Sequence, residues 1–205
     1  MSRAQINLSL FFANLFGLLL SAYLLPYGAL WERLSVGSAW ICTVMLSAAL
    51  IIGPLRRAAG RPAPDNIYLR RDLGICSALQ GFLHVYAGSV VSMNQTYIQA
   101  FVESDLAPWS AIARDELFFW GAMLGFIVSL VYLLLFAISS DRAIRFMGMQ
   151  RWKKTQKSAH LILWLTVLHG IAFQLLESRY LPLWILAALT LIVFVLQYRG
   201  RRRVD

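Results

Sequence analysis

Charged residues fall in clusters along this chain, and between the clusters run six uncharged stretches: Leu8 to Trp31, Leu34 to Leu55, Leu73 to Val102, Leu117 to Ser140, Ser158 to Leu176 and Tyr180 to Tyr198. Each is at or beyond spanning length, because about 20 apolar residues at a rise of about 1.5 Å cross the roughly 30 Å hydrocarbon layer. The pattern predicts an all-α polytopic membrane protein, one transmembrane domain over residues 1–205, with six helices at about 8–30, 36–55, 73–93, 117–140, 158–176 and 180–198. Pro26 stands where the first helix can stop without losing interior hydrogen bonds, and Gly53-Pro54 is expected to break the second. The stretch from Asn94 to Glu116 reads as a segment lying partly on the membrane surface, with Tyr97 and Trp109 as interfacial aromatics. Its Asn94-Gln95-Thr96 sequon is read as chance.

Composition excludes a soluble domain: 59% of the residues are hydrophobic and only 14% charged. Charge then orients the bundle. Sixteen of the nineteen Lys and Arg residues fall at alternate ends of the runs, and only Arg33, Arg114 and Arg179 at the others. Short cytoplasmic loops collect Lys and Arg, so both termini are expected to be cytoplasmic, in a multi-pass protein. The net charge of +9 then reflects topology and contact with anionic lipid. Nothing motif-like beside the basic tail suggests nucleic acid. Two basic loops, the one through Arg70 and the one from Ser139 to Lys157, are candidate docking surfaces for an acidic soluble partner. The first run has only Arg3 before it and no small-residue cleavage site after a short apolar core, so it is expected to be a retained helix rather than a signal peptide. Cys42 and Cys76 lie in separate runs without a C-x-x-C spacing and are expected to be small packing residues.

Histidine supplies the candidate chemistry. His84 sits in the third run and His169 in the fifth, each about a dozen residues past the last basic residue, Arg71 and Lys157 respectively. They are therefore expected at the same depth, near the midplane. Two imidazoles at matched depth on neighbouring helices can clamp a porphyrin iron from both faces, giving a six-coordinate b-type haem suited to electron transfer. Gly74, Ser77, Gly81, His84 and Gly88 share one helix face through spacings of three and four. Such a stripe admits either a neighbouring helix or a flat cofactor, and Gly81 and Gly88 become candidate cofactor contacts. His160 is nine residues before His169, so it faces the other way, about 13.5 Å nearer the cytoplasm; it is expected to reach for the interface rather than bind iron. The bland alternative is that the two deep histidines hydrogen-bond to neighbours such as Thr166 or Gln80. Gly121 and Gly125 form a G-x-x-x-G pair read as packing within the bundle.

The segments GSAWICTVMLSAALIIGPLRRAAG, RRDLG and LHVYAG, then RW and LHG in the fifth helix, resemble the ferric-reductase-like transmembrane domain family, from about Gly37 to Phe173. Within it they look like the haem-binding membrane subunits of periplasmic methionine sulfoxide reductase systems. The resemblance implies a six-helix cytochrome b in a bacterial inner membrane. It implies electrons drawn from a cytoplasmic flavin reductase or from quinol, with FMN or quinone as further cofactors, and passed to a periplasmic molybdopterin-containing reductase that repairs oxidised methionine. One departure stands out. The family carries W-x-x-L-H before the fifth helix, and here that run is Trp152-Lys153-Lys154-Thr155-Gln156, with Gln156 in the histidine's place. A second, cytoplasmic-side haem is therefore not expected, because glutamine is a poor haem ligand.

Two other readings stay open on the sequence. One is a divergent single-haem relative serving another redox partner. The other is a non-redox membrane protein, a transporter or an assembly factor, with structural histidines or a proton relay. Against the latter, all ten acidic residues lie at the ends of the spanning runs or in loops. The chain itself is expected to conduct electrons rather than to make or break substrate bonds.

Overall fold

A computed structural model describes residues 3–26, 28–60, 67–93 and 108–202. Eight helices occur among them: α1 (Arg3–Leu24), α2 (Leu30–Ala58), α3 (Ile67–Met93), α4 (Pro108–Ala137), α5 (Asp141–Met147), α6 (Met149–Gln156), α7 (Ala159–Leu176) and α8 (Tyr180–Arg202). No strand is present among the described residues. Six segments are long and apolar enough to cross a membrane, and α6 with α7 supplies one of them. Six spans were expected and six are found. The surface segment, its sequon and its aromatics Tyr97 and Trp109 fall wholly or in their side chains outside the described residues.

Several boundaries move, each for a local reason. The first apolar run does not form one helix to residue 30, because α1 stops at Leu24, two residues before Pro26, and α2 begins at Leu30. Conversely, Gly53-Pro54 does not end α2, which continues to Ala58 with Pro54 inside it. A proline withholds one backbone donor, and a transmembrane helix tolerates this where a neighbour packs against the site. That neighbour is Gly200 of α8, where an added Cβ would come within 2.7 Å of Pro54 Cβ and 2.8 Å of its Cα. The segment from Ser139 to Lys157, expected as a plain basic loop, folds into α5 and α6 with a break at Gly148, φ 79°. Ser140 caps α5 by accepting from the Ala143 amide. Trp152 is buried and donates its indole N–H to the Ile138 carbonyl at 3.0 Å, which fastens α6 beneath the end of α4.

The long helices alternate in direction. One end of the bundle carries Arg56, Arg70, Arg71 and the lysines of α6, and the opposite end carries Glu32, Glu177 and Arg179. The most extensive packing is of α2 on α3, then of α4 on α7 and of α2 on α8. The core at their meeting contains Cys42, Leu46, Leu50, Ala78, Tyr132, Ile162 and Val193. Phe11, Phe16, Trp184 and Phe194 instead point outward, the apolar belt that lipid covers in a membrane protein. At the basic end Arg71 is buried and pairs with Asp141, tying the start of α3 to the start of α5. Arg70 Nε donates to the Ala49 carbonyl at 3.0 Å, across to α2.

Candidate functional site

The site begins with two ring nitrogens. His84 of α3 presents Nδ1 to α2, where the Ser35 carbonyl oxygen lies at 2.9 Å and the Ser35 hydroxyl at 3.1 Å. His169 of α7 presents Nδ1 to α4, where the Gly121 carbonyl oxygen lies at 2.7 Å. A carbonyl can only accept, so each Nδ1 carries the proton and each Nε2 keeps its lone pair. This is how a metal-binding histidine is held: one ring N–H on a backbone acceptor fixes the tautomer and frees the other nitrogen.

Glycines make room for both rings. At Gly125, one turn past Gly121, an added Cβ would stand 2.7 Å from His169 Cε1 and 2.9 Å from Nδ1. The imidazole therefore lies against bare backbone. Gly121 also packs on Phe173 and Ala172. The expected packing role of this G-x-x-x-G pair is present, and it also seats His169, which spacing on α4 alone did not reveal. On α3 the glycine stripe faces α2. A Cβ at Gly88 would touch Ser35 Oγ at 3.4 Å, and one at Gly81 would meet Cys42 Sγ at 3.5 Å and the Tyr132 ring at 3.7 Å. The close approach of α2 to α3 thus uses much of the stripe, while Gly81 and Gly88 also border the cavity described next.

His84 and His169 meet across a cavity of about 660 Å³ bounded chiefly by α2, α3, α4 and α7. Their ring centroids are 5.9 Å apart and their planes cross at 78°. Two imidazoles on opposite sides of one metal, each bonded at about 2.0 Å, would have centroids roughly 6 Å apart. The observed centroid separation of 5.9 Å is close to that value. Among the described residues no group of three or more His, Cys, Asp or Glu could hold a bare ion. A two-imidazole donor set suits a metal whose other ligands come with it, as in a porphyrin. The cavity volume falls in the range of cofactor pockets, about 300–1,000 Å³, and its walls are mainly apolar, with Val36, Trp40, Phe82, Phe118 and Phe126 among them.

Toward the basic end the cavity is closed by a ring of hydrogen bonds. Ser77 Oγ donates to the Cys42 carbonyl at 2.8 Å, so the Tyr132 hydroxyl donates to Ser77 Oγ at 2.7 Å. The Tyr132 oxygen then accepts from the Cys42 thiol at 3.3 Å. Both cysteines are free, and Cys42 packs as expected while also joining α2, α3 and α4 through this ring. At the other end the lining turns polar: Glu32, Gln174, Glu177 and Arg179 border the mouth.

Four of the five residues singled out from sequence, His84, His169, Gly81 and Gly88, border one cavity. His160 does not. Its Nδ1 lies 3.1 Å from the Lys157 carbonyl oxygen, one turn back along the chain. The alternative partners considered for the deep histidines are also not used. Gln80 donates to Asn14 at 3.0 Å, and the Thr166 hydroxyl, which borders the cavity, is buried without a partner among the described residues. Because α3 starts at Ile67, His84 lies seventeen residues from its beginning and nine from its end at Met93. Ser35 is the site residue that sequence reasoning missed most completely, since a serine near a helix start carries no mark of a distant imidazole. No family model matches the chain.

Proposed function

We propose that this chain is a membrane cytochrome b in which His84 and His169 are the axial ligands of one haem. The observation that carries the reading is the imidazole pair: 5.9 Å apart, on two helices, each with Nδ1 on a main-chain carbonyl. A haem held this way would supply one-electron transfer. The chain's own residues do the rest. Ser35 and Gly121 orient the ligands, the apolar walls exclude water, and the Cys42–Ser77–Tyr132 ring closes the basic side.

The partner assignments rest on the motif resemblance and on charge. The basic end would face the cytoplasm of a bacterial cell, with the chain in its inner membrane. The donor would be quinol or a cytoplasmic flavin reductase with FMN. The acceptor would be a periplasmic molybdopterin-containing reductase acting on oxidised methionine.

Purified from haem-replete cells, the full chain is expected to show a low-spin b-type spectrum whose α band sharpens on dithionite reduction. His84→Ala and His169→Ala should each deplete the low-spin form or convert it to high spin, while His160→Ala leaves it nearly unchanged. Absence of any Soret band in the wild-type chain would favour a transporter or assembly factor with structural histidines.

A further inference from the structure

The cavity that holds the imidazole pair is apolar along most of its wall, and among the described residues that line it the one arginine or lysine is Arg179, at one end. Its guanidinium is shared between two carboxylates, with Nη2 at 3.0 Å from Glu32 Oε1 and 3.2 Å from Glu177 Oε2. The backbone holds Arg179 in place. The Arg179 amide donates to the Gln174 carbonyl at 2.8 Å and the Ser178 amide to that of Leu175, a Schellman closure of α7 with Ser178 at φ 54°. The arginine stem therefore leaves a fixed turn at the mouth of the cavity.

A porphyrin of the haem b type is amphipathic, with an apolar macrocycle and two propionates on one edge. Taken on the reading of this site as a haem pocket, we propose that Arg179 binds those propionates, and that Glu32 is the carboxylate they replace. Arginine's planar fork suits paired carboxylate oxygens, and such charge-assisted bonds are stronger than neutral ones. Glu32 is the carboxylate placed to yield. Its side chain is 27% exposed, against 17% for Arg179, so it can turn outward without entering the apolar wall. One cation between two carboxylates carries a net negative charge, so a dianionic edge cannot simply be added to it. At least one glutamate has to leave.

This exchange fixes the sign of three substitutions. The full chain, prepared without haem in detergent, is titrated with ferric protoporphyrin and with its dimethyl ester, following the low-spin Soret band. The wild type should bind the diacid about 10-fold or more tightly than the diester, the ratio expected of a charge-assisted bond. Arg179→Gln should remove most of that preference and leave diester affinity unchanged, with Arg179→Lys intermediate. Glu32→Gln should tighten diacid binding, because it deletes a competitor. A wild-type preference retained in Arg179→Gln, or a Glu32→Gln variant that weakens diacid binding, would overturn the proposal while leaving the imidazole ligation intact. If neither porphyrin gives a low-spin complex with the wild type, the haem reading itself fails, and the propionate assignment fails with it.

Discussion

At the scale of single residues, the site depends as much on missing side chains as on present ones. Gly125 shows this most directly, because a methyl group there would overlap the His169 ring. Gly125→Ala should push the imidazole off the Gly121 carbonyl, lower haem retention and destabilise the chain by about 1–3 kcal/mol, the usual range for overpacking. Gly121→Ala, whose Cβ would lie no closer than 3.1 Å to Phe173, should be milder. Gly74→Ala meets nothing within 4 Å and should be neutral or slightly stabilising, since alanine is the better helix former. Comparing haem content and thermal midpoint across the three variants checks the order. Equal losses at all three would mean that the glycines serve helix packing in general and not the His169 ring in particular.

At the scale of elements, the turn between α7 and α8 carries a removable strain. Ser178 occupies the left-handed region that glycine fills in most such helix ends. Ser178→Gly should raise stability by about 1 kcal/mol, seen as a Tm increase of roughly 2–4 °C for a chain of this size. An unchanged or lower Tm would show that the serine side chain is held by contacts outweighing its backbone cost. Pro54 carries the opposite lesson. A breaker signal in the sequence of α2 was overridden because Gly200 lets α8 lie against the proline, and packing outweighs local propensity where a neighbour supports the weakened turn. The segment from Ser139 to Lys157 was likewise misread as loop. Its helices depend on the Ser140 cap and on Trp152 reaching Ile138, neither of which is a periodic signal.

At the scale of the whole molecule, the arrangement provides one pair of facing imidazoles and no second. His160 bonds locally to Lys157, and Gln156, where the resembled family has histidine, ends α6 with its amide nitrogen buried and lacking a partner among the described residues. Haem content by pyridine haemochromogen should therefore approach one per chain; a ratio near two would require a ligand set other than the one described. The sequence alone determined the six spans, because transfer into lipid demands long uncharged runs and charge clusters cannot be hidden inside them. It also determined that His84 and His169 share a level, because helical rise converts residue count into depth. Tertiary structure decided which way each ring turns and what fixes it. Ser35 stands 49 positions from His84 and Gly121 48 from His169, and only the packing of α2 on α3 and of α4 on α7 brings those carbonyls to the rings. The same holds for Arg179, 147 positions from Glu32: pairing them takes two helix ends meeting at one face of the bundle, a long-range contact that no local pattern encodes.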